Sequence, residues 1–310
     1  MGENYEGQVP PVLLIVFRRP ELTRKMLDSI RAAKPARLYV ACDGPRAGRP
    51  DDEERVWSVR AIVAEYENDL HPITRYQTQN LGCGKGVSTA ISWFFEHEEE
   101  GIILEDDCYP DPSFYRYCGE LLSLYRNDTR VMYVSGYNFF HSISTMADSY
   151  RFTKFGWQWG WATWRRSWAF FDMSLTMWPE FTARKLHLSD AFDSERVKRI
   201  NRLRSDDIDT WDFQWGVCTL MQNGLGICPT YSLVTNIGVG FENTHGNDLG
   251  YAQDLGVPVR PMDFPLKHPP FVFPDMEYDR QVMQIASSKY SRTRALMRAV
   301  CRWFNSKQWW

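Results

Sequence analysis

Three consecutive acids, Glu105, Asp106 and Asp107, end the apolar run Gly101-Ile-Ile-Leu104. Adjacent carboxylates repel unless a cation compensates them, and their hard oxygens suit magnesium or manganese, which keep open positions for phosphate oxygens. A solvated acidic turn has the same local sequence, so the meaning of the triplet depends on what converges on it. Asn80-Leu-Gly-Cys-Gly-Lys-Gly86 is a glycine-rich stretch whose backbone amides can approach a phosphate, with Lys85 as an adjacent cation. Arg19 follows one apolar run and Asp43 another. Asp212 lies between Trp211 and Phe213, where desolvation raises a carboxyl toward the pKa of a general base, and Asp209, one helical turn earlier, is the alternative. His245, in Thr244-His-Gly246, reads either as a metal ligand or as a hydrogen-bonded structural residue.

These groups require elements that bring them together. Ile102, Ile103 and Leu104 have the character of a strand covered on both faces, which places the acids at its carboxyl end, where ligands bind in an open α/β sheet. Val12-Leu-Leu-Ile-Val-Phe17 and Leu38-Tyr-Val-Ala-Cys42 repeat that pattern, ending at Arg18-Arg19 and Asp43. Helices are expected from Pro20, with Leu22, Met26, Leu27 and Ile30 on one face, and over residues 53–70. A third strand covers residues 73–77, and the glycine-rich loop then enters a helix through Val87, Ile91, Trp93 and Phe94. Four rounds of strand and helix predict a mainly parallel sheet with right-handed crossovers, aligning Arg19, Asp43, the glycine loop and Asp107 along one edge. Residues 131–135 read as a fifth strand. Beyond about residue 140 the period is lost, loops lengthen and tryptophan becomes dense. Glycine beside tryptophan, as in Gly156-Trp and Gly160-Trp161, suits either a sugar platform or an aromatic core.

Composition narrows the partners. The chain has 310 residues, 44% hydrophobic and 24% charged, the profile of an ordinary globular protein. A net charge of −3 supplies no global attraction to nucleic acid, which weighs against that class of partner. Seven scattered cysteines without CxxC or zinc spacing favour a reducing, cytoplasmic setting. No leader pattern opens the sequence and no apolar run approaches the roughly 18 residues of a membrane span, so the expectation is a soluble protein, at most peripheral to a membrane. Residues 289–310 depart from the rest, with six basic residues, no acid, and Leu296, Met297, Val300, Trp303 and Phe304 at helical spacing. Such a helix suits an anionic membrane surface or a place on the protein's own core.

The ordered series resembles the GT-A glycosyltransferases. It comprises Pro11-Val-Leu-Leu-Ile with Arg19, then Asp43, Leu104-Glu-Asp-Asp107 with Pro110 and Phe114, Gly156-Trp with Gly160-Trp161, Trp211-Asp212, and Thr244-His-Gly246. It is most similar to enzymes of the N-acetylglucosaminyltransferase I type and to related bacterial glycosyltransferases. The resemblance implies a Rossmann-like, mainly parallel mixed sheet flanked by helices. On this reading residues 1–140 form a nucleotide-sugar-binding half and 141–257 an acceptor-binding and catalytic half, while composition marks 258–310 as a proline-rich linker with a basic amphipathic helix. By that likeness Asp43 holds uracil and Arg19 lies by the nucleotide. Glu105 meets donor-sugar hydroxyls, Asp106 the ribose, and Asp107 the Mn2+ or Mg2+ bridging two phosphates. Trp211 lies against the donor and Asp212 is the base.

The implied reaction is inverting transfer from a UDP-sugar, such as UDP-GlcNAc, to a glycan or glycolipid hydroxyl. Charge on the leaving diphosphate is met by metal on Asp107 and by Arg19 or Lys85. Two other classes fit parts of the sequence. A sugar-nucleotide nucleotidyltransferase would share the sheet but calls for a basic glycine-rich loop directly after the first strand. A noncatalytic carbohydrate-binding protein would explain the tryptophans and not the acids.

Overall fold

Apolar residues on both faces make Val12–Val16 a central strand, β1, and its alternation divides the core in two. Val12, Leu14 and Val16 join one hydrophobic cluster and Leu13 joins the other. The computed structural model describes residues 8–138, 140, 147–188, 194–205, 208–238 and 259–284. His245 and the basic segment 289–310 lie outside the described residues.

Helix α1 (Pro20–Ala33) starts at Pro20, whose fixed φ suits the first helical position, and buries Leu22, Met26, Leu27 and Ile30. Strand β2 (Leu38–Cys42) is wholly buried. The helix expected over residues 53–70 is two helices, α2 (Pro50–Glu65) and α3 (Glu67–Leu70). Pro50 opens the first, and the chain leaves helical geometry at Tyr66, where φ is −95° and ψ is 6°. Strand β3 (Ile73–Tyr76) follows, and helix α4 (Gly82–His97) begins inside the glycine-rich stretch rather than after it. Strand β4 (Glu100–Glu105) carries the chain to the acids.

The expected strand-and-helix alternation produces a parallel ladder β3-β2-β1-β4. Beyond β4 the sheet becomes mixed. Its remaining strands are β8 (Trp161–Trp164), β6 (Val131–Ser135), β9 (Leu225–Pro229) and β7 (Tyr150–Thr153), in that order. β8 runs antiparallel to both β4 and β6, and β6 is parallel to β9. One eight-stranded sheet therefore crosses the residue 140 boundary. Helices α1, α2 and α5 (Pro112–Tyr125) contribute to the cluster on one face; on the other, after the short α6 (Arg165–Trp168) and α7 (Trp178–Ala183) and then α8 (Ser194–Ser205), comes α9 (Asp212–Met221), which with α4 contributes to the second cluster.

Among the described residues, the second cluster also gathers most of the tryptophans. Trp161, Trp178 and Trp215 of this cluster are among the largest fully buried side chains, whereas Trp164, equally buried, joins the first cluster. Gly156 makes room for the Tyr133 ring, which a Cβ there would approach to 2.5 Å, and Gly160, at φ +58°, lies against Val234. The pairing of glycine with tryptophan thus serves packing at these two positions.

Candidate functional site

The three acids span the end of β4 and the tight turn that follows it. Leu14 and Ile15 of β1 pair with Leu104 and Glu105 of β4, so Glu105 lies beside the end of the first strand. Asp106 and Asp107 form the turn into β5 (Cys108–Pro110), a short strand paired antiparallel with β10 (Val234–Asn236). Ile237 N–H donates to the Asp107 carbonyl at 2.8 Å, clamping the turn from the C-terminal side. Pro110 takes part in this second, two-stranded sheet, opposite Val234.

Arg19, just before α1, reaches across to two of the acids. Its Nη1 donates to Asp107 Oδ2 at 3.0 Å and its Nη2 to Asp106 Oδ1. Burial alone would weaken the guanidinium's charge, but Asp106 and Asp107 outweigh it and hold Arg19 protonated. Asp106 is only 2% exposed, and its Oδ2 has no partner among the described residues. Burial raises the Asp106 carboxyl above the ordinary range despite Arg19. Glu105 is raised too, first by burial and then by the charges of Asp107, Asp106 and Asp212. Asp212, although it belongs to α9, is thus one of the charges that raise Glu105.

A cavity of about 350 Å³ opens beside these groups, within the size range of small-ligand sites. Arg19, Asp43, Arg46, Asn80, Glu105 and Asp106 are among the residues that line it, while Asp107 is not. Asp43 stands at the end of β2, as expected, but its carboxylate is already engaged. It accepts N–H groups from Gly44 at 2.8 Å and Leu81 at 3.0 Å, and the Asn80 amide at 3.0 Å. Burial raises its carboxyl while those donors oppose the rise. Arg46 is held by Asp52, which is fully buried and also takes Arg18 at 2.6 Å. The Arg46 side chain, more than any other cause, keeps Asp52 below the ordinary carboxylate range.

Sequence reasoning alone did not single out Phe17, Arg46, Arg75 or Gln77, all of which line the cavity. Each lies within a few residues of the carboxyl end of β1, β2 or β3, and that position was the available signal. Gly44 belongs to the same set: a Cβ there would approach the Gln79 backbone to 2.5 Å, so the turn after β2 is closely packed against the loop after β3.

The glycine-rich stretch differs from expectation. The amides of Cys83 and Gly84 face the carboxylate of Asp209, at 2.8 and 2.6 Å. A protein acid, not an open anion site, meets this end of α4. Lys85 is exposed and does not line the cavity. Trp211 is buried, stacked on Trp161 with ring centroids 5.7 Å apart, so its ring supports the site from within the core. Asp212 is exposed rather than desolvated. Its Oδ1 accepts the Phe213 N–H at 2.8 Å and the Thr210 hydroxyl. Gly238, the last described residue before 239–258, leaves no room beside the acids: a Cβ would lie 2.8 Å from Arg19 Nη1 and from Asp107 Oδ2.

Oxygen donors at Asp106 and Asp107 fit magnesium or manganese, which need only one or two protein carboxylates when substrate phosphates supply other ligands. The unpartnered, buried Asp106 Oδ2 is compatible with such an ion. Among the described residues, no three His, Cys, Asp or Glu side chains converge as a complete metal cage.

No protein-family model and no curated protein matches the chain. Among solved structures, it is similar to the mannosyltransferase PcManGT from Pyrobaculum calidifontis in complex with GDP-Man and Mn2+, at 19% identity and TM-score 0.37, covering 51% of this chain and 45% of that one. Residues 1–349 of TarS from S. aureus align at 13% identity and TM-score 0.37, covering 50% and 47%. The 4-diphosphocytidyl-2C-methyl-D-erythritol synthase of Anaerococcus prevotii aligns at 10% identity and TM-score 0.32, covering 64% and 84%. The chain covers less than half the length of the first two structures. Likeness at this level carries no argument about fold or reaction.

Proposed function

We propose that this protein is a GT-A-type glycosyltransferase that moves a sugar from a nucleotide diphosphate sugar to a hydroxyl of a glycan or glycolipid. The observation that carries the reading is the convergence of Arg19 on Asp106 and Asp107 beside a cavity that Arg19, Glu105, Asp106 and Asp43 all line. In this reading UDP is the nucleotide and UDP-GlcNAc one donor to test.

The chemistry follows from a diphosphate leaving group. A divalent ion held by Asp107, with Asp106 beside it, supplies positive charge to the phosphates when bound. Arg19 adds a cation held in place by the same carboxylates, so its charge is oriented before substrate arrives. Glu105, raised by burial and its acidic neighbours, is suited to donate a hydrogen bond to a sugar hydroxyl. Asp43, fixed by three donors and lining the same cavity, is the residue assigned to the nucleobase.

Asp212, exposed at the start of α9, takes the acceptor hydroxyl's proton as that oxygen attacks the anomeric carbon, and the sugar–phosphate bond breaks on the opposite face. That single displacement inverts the anomeric configuration.

The test incubates the full chain with a panel of UDP- and GDP-sugars and manganese. The reading expects metal-dependent release of nucleoside diphosphate from one of them. Pyrophosphate release from a nucleoside triphosphate and a sugar phosphate would instead mark a nucleotidyltransferase. Carbohydrate binding with neither release would mark a noncatalytic protein.

A further inference from the structure

One side chain joins the glycine-rich start of α4 to the segment that carries Asp212. Asp209 accepts the N–H groups of Cys83 at 2.8 Å and Gly84 at 2.6 Å, across more than a hundred residues of sequence. These amides belong to the first turn of a 16-residue helix, where the chain itself offers no acceptor. The surrounding sequence is shaped to that carboxylate. Gly82 has φ +82°, and a Cβ there would lie 2.6 Å from Asp209 Oδ2. A Cβ on Gly84 would lie 2.9 Å from the Thr210 carbonyl oxygen and 3.0 Å from Asp209 Oδ1.

The residues after Asp209 are fixed in turn. Thr210 N–H donates to the Ile208 carbonyl at 2.9 Å, and the Thr210 hydroxyl donates to Asp212. Trp211, between them, is stacked against Trp161. Thus the sequence from Asp209 to Asp212 is gripped at each residue, by α4, by the aromatic core and by its own turn. Cys83 reports how closely the acids gather here: after burial, the charges of Glu105, Asp209, Asp212 and Asp107 raise its thiol.

We infer that Asp209 is a positioning residue, which anchors the start of α9 on the amides of α4 and thereby sets Asp212 relative to the strand-tip acids. The inference rests on the reading of Asp212 as the base. It assigns the glycines at positions 82 and 84 to receiving Asp209, and it leaves the donor's phosphates to Arg19 and the cation.

The test uses the full chain and compares Asp209→Ala, Asp209→Asn and Gly84→Ala with wild type. Donor dissociation constants and the rate of nucleoside diphosphate release at saturating donor and manganese are measured, with thermal melts to establish the folded fraction. Asp209→Ala should lower kcat at least tenfold while donor affinity stays within threefold. Gly84→Ala keeps the carboxylate but crowds it, and should show the same split between kcat and affinity. Asp209→Asn, whose carbonyl oxygen still accepts one amide, should recover part of kcat. A lower melting temperature with unchanged kcat per folded molecule in Asp209→Ala would reduce Asp209 to a helix cap and overturn the inference. Loss in both Asp209 variants with normal turnover in Gly84→Ala would overturn it differently, by making Asp209 itself the base. Asp212→Asn run alongside separates the claims. Full activity in that variant removes the base and the reading beneath the inference, whereas an inactive Asp212→Asn beside a normal Asp209→Ala removes only the link.

Discussion

The Arg19 guanidinium stands 3.0 Å from Asp107 Oδ2 while its other amino group grips Asp106, so one cation from the first strand's end already ties together two acids from the fourth. The empty repulsion expected of adjacent carboxylates is thereby relieved within the protein. Replacing Arg19 by Ala leaves Asp106, 2% exposed, with its charge unpaired. Breaking a buried pair in this way costs about 3 kcal/mol or more. Urea unfolding at pH 7 should show that loss, and donor binding should fall with it; a variant as stable as wild type would mean that Asp106 is neutral or solvated there.

Asp212→Asn should retain donor affinity within about threefold and lose at least about 100-fold in transfer, the scale of general-base catalysis. The amide preserves the acceptance of the Phe213 N–H through its carbonyl oxygen. Single-turnover kinetics with saturating donor check it. Transfer at the wild-type rate, or a product of retained anomeric configuration, would remove the single displacement.

Much of this site was legible because it depends on strand ends. Buried runs at Val12–Val16, Leu38–Cys42 and Glu100–Glu105 identify parallel strands, and the first polar residue after each then shares one edge. What was not legible depends on contacts distant in sequence. Nothing near the glycine-rich stretch says that Asp209 fills it, because that pairing exists only after α9 packs across the sheet. Asp212 looks desolvated between two aromatics, yet neighbours along a helix point in different directions. Trp211 turns into the core and Asp212 out. The antiparallel β8 was hidden for a similar reason: Trp161–Trp164 is as buried as a parallel strand, and burial alone does not give direction.

Gly238→Ala tests the close approach at the acids. The added methyl would lie 2.8 Å from Arg19 Nη1 and from Asp107 Oδ2, pushing apart groups assigned to the diphosphate and its cation. Donor affinity should weaken about tenfold, or about 1.4 kcal/mol, while stability changes by about 1 kcal/mol or less. Calorimetric titration with donor and manganese measures the first and urea unfolding the second. Unchanged affinity would place the diphosphate elsewhere.

Asp279 gives a pH signature independent of the site. It is 5% exposed and accepts the Thr153 hydroxyl and the Lys154 N–H at 3.1 Å. Burial pushes its carboxyl up to about 6, above its ordinary value. Well below pH 4 the group is protonated whether the chain is folded or not, and it costs nothing. As pH rises toward 6 the unfolded chain ionises first, so stability falls, and above 6 the full cost of about 3 kcal/mol is present. Asp279→Asn removes this titration. The stability of the variant relative to wild type should therefore rise between pH 4 and pH 7, by urea unfolding; a flat difference would mean that Asp279 is charged without penalty.

The central claim is that the strand-tip acids bind a nucleotide diphosphate sugar through a divalent ion. Thermal melts of wild type and Asp107→Ala, with UDP-sugars and GDP-sugars in the presence and absence of manganese, test it most directly and need no acceptor. A donor at about 100 times its dissociation constant adds about 2.7 kcal/mol to the folded state. The account predicts a rise in melting temperature for wild type with one donor and manganese together, little rise with either alone, and none in a folded Asp107→Ala. An equal rise without manganese, or an unchanged manganese-dependent rise in Asp107→Ala, would contradict it.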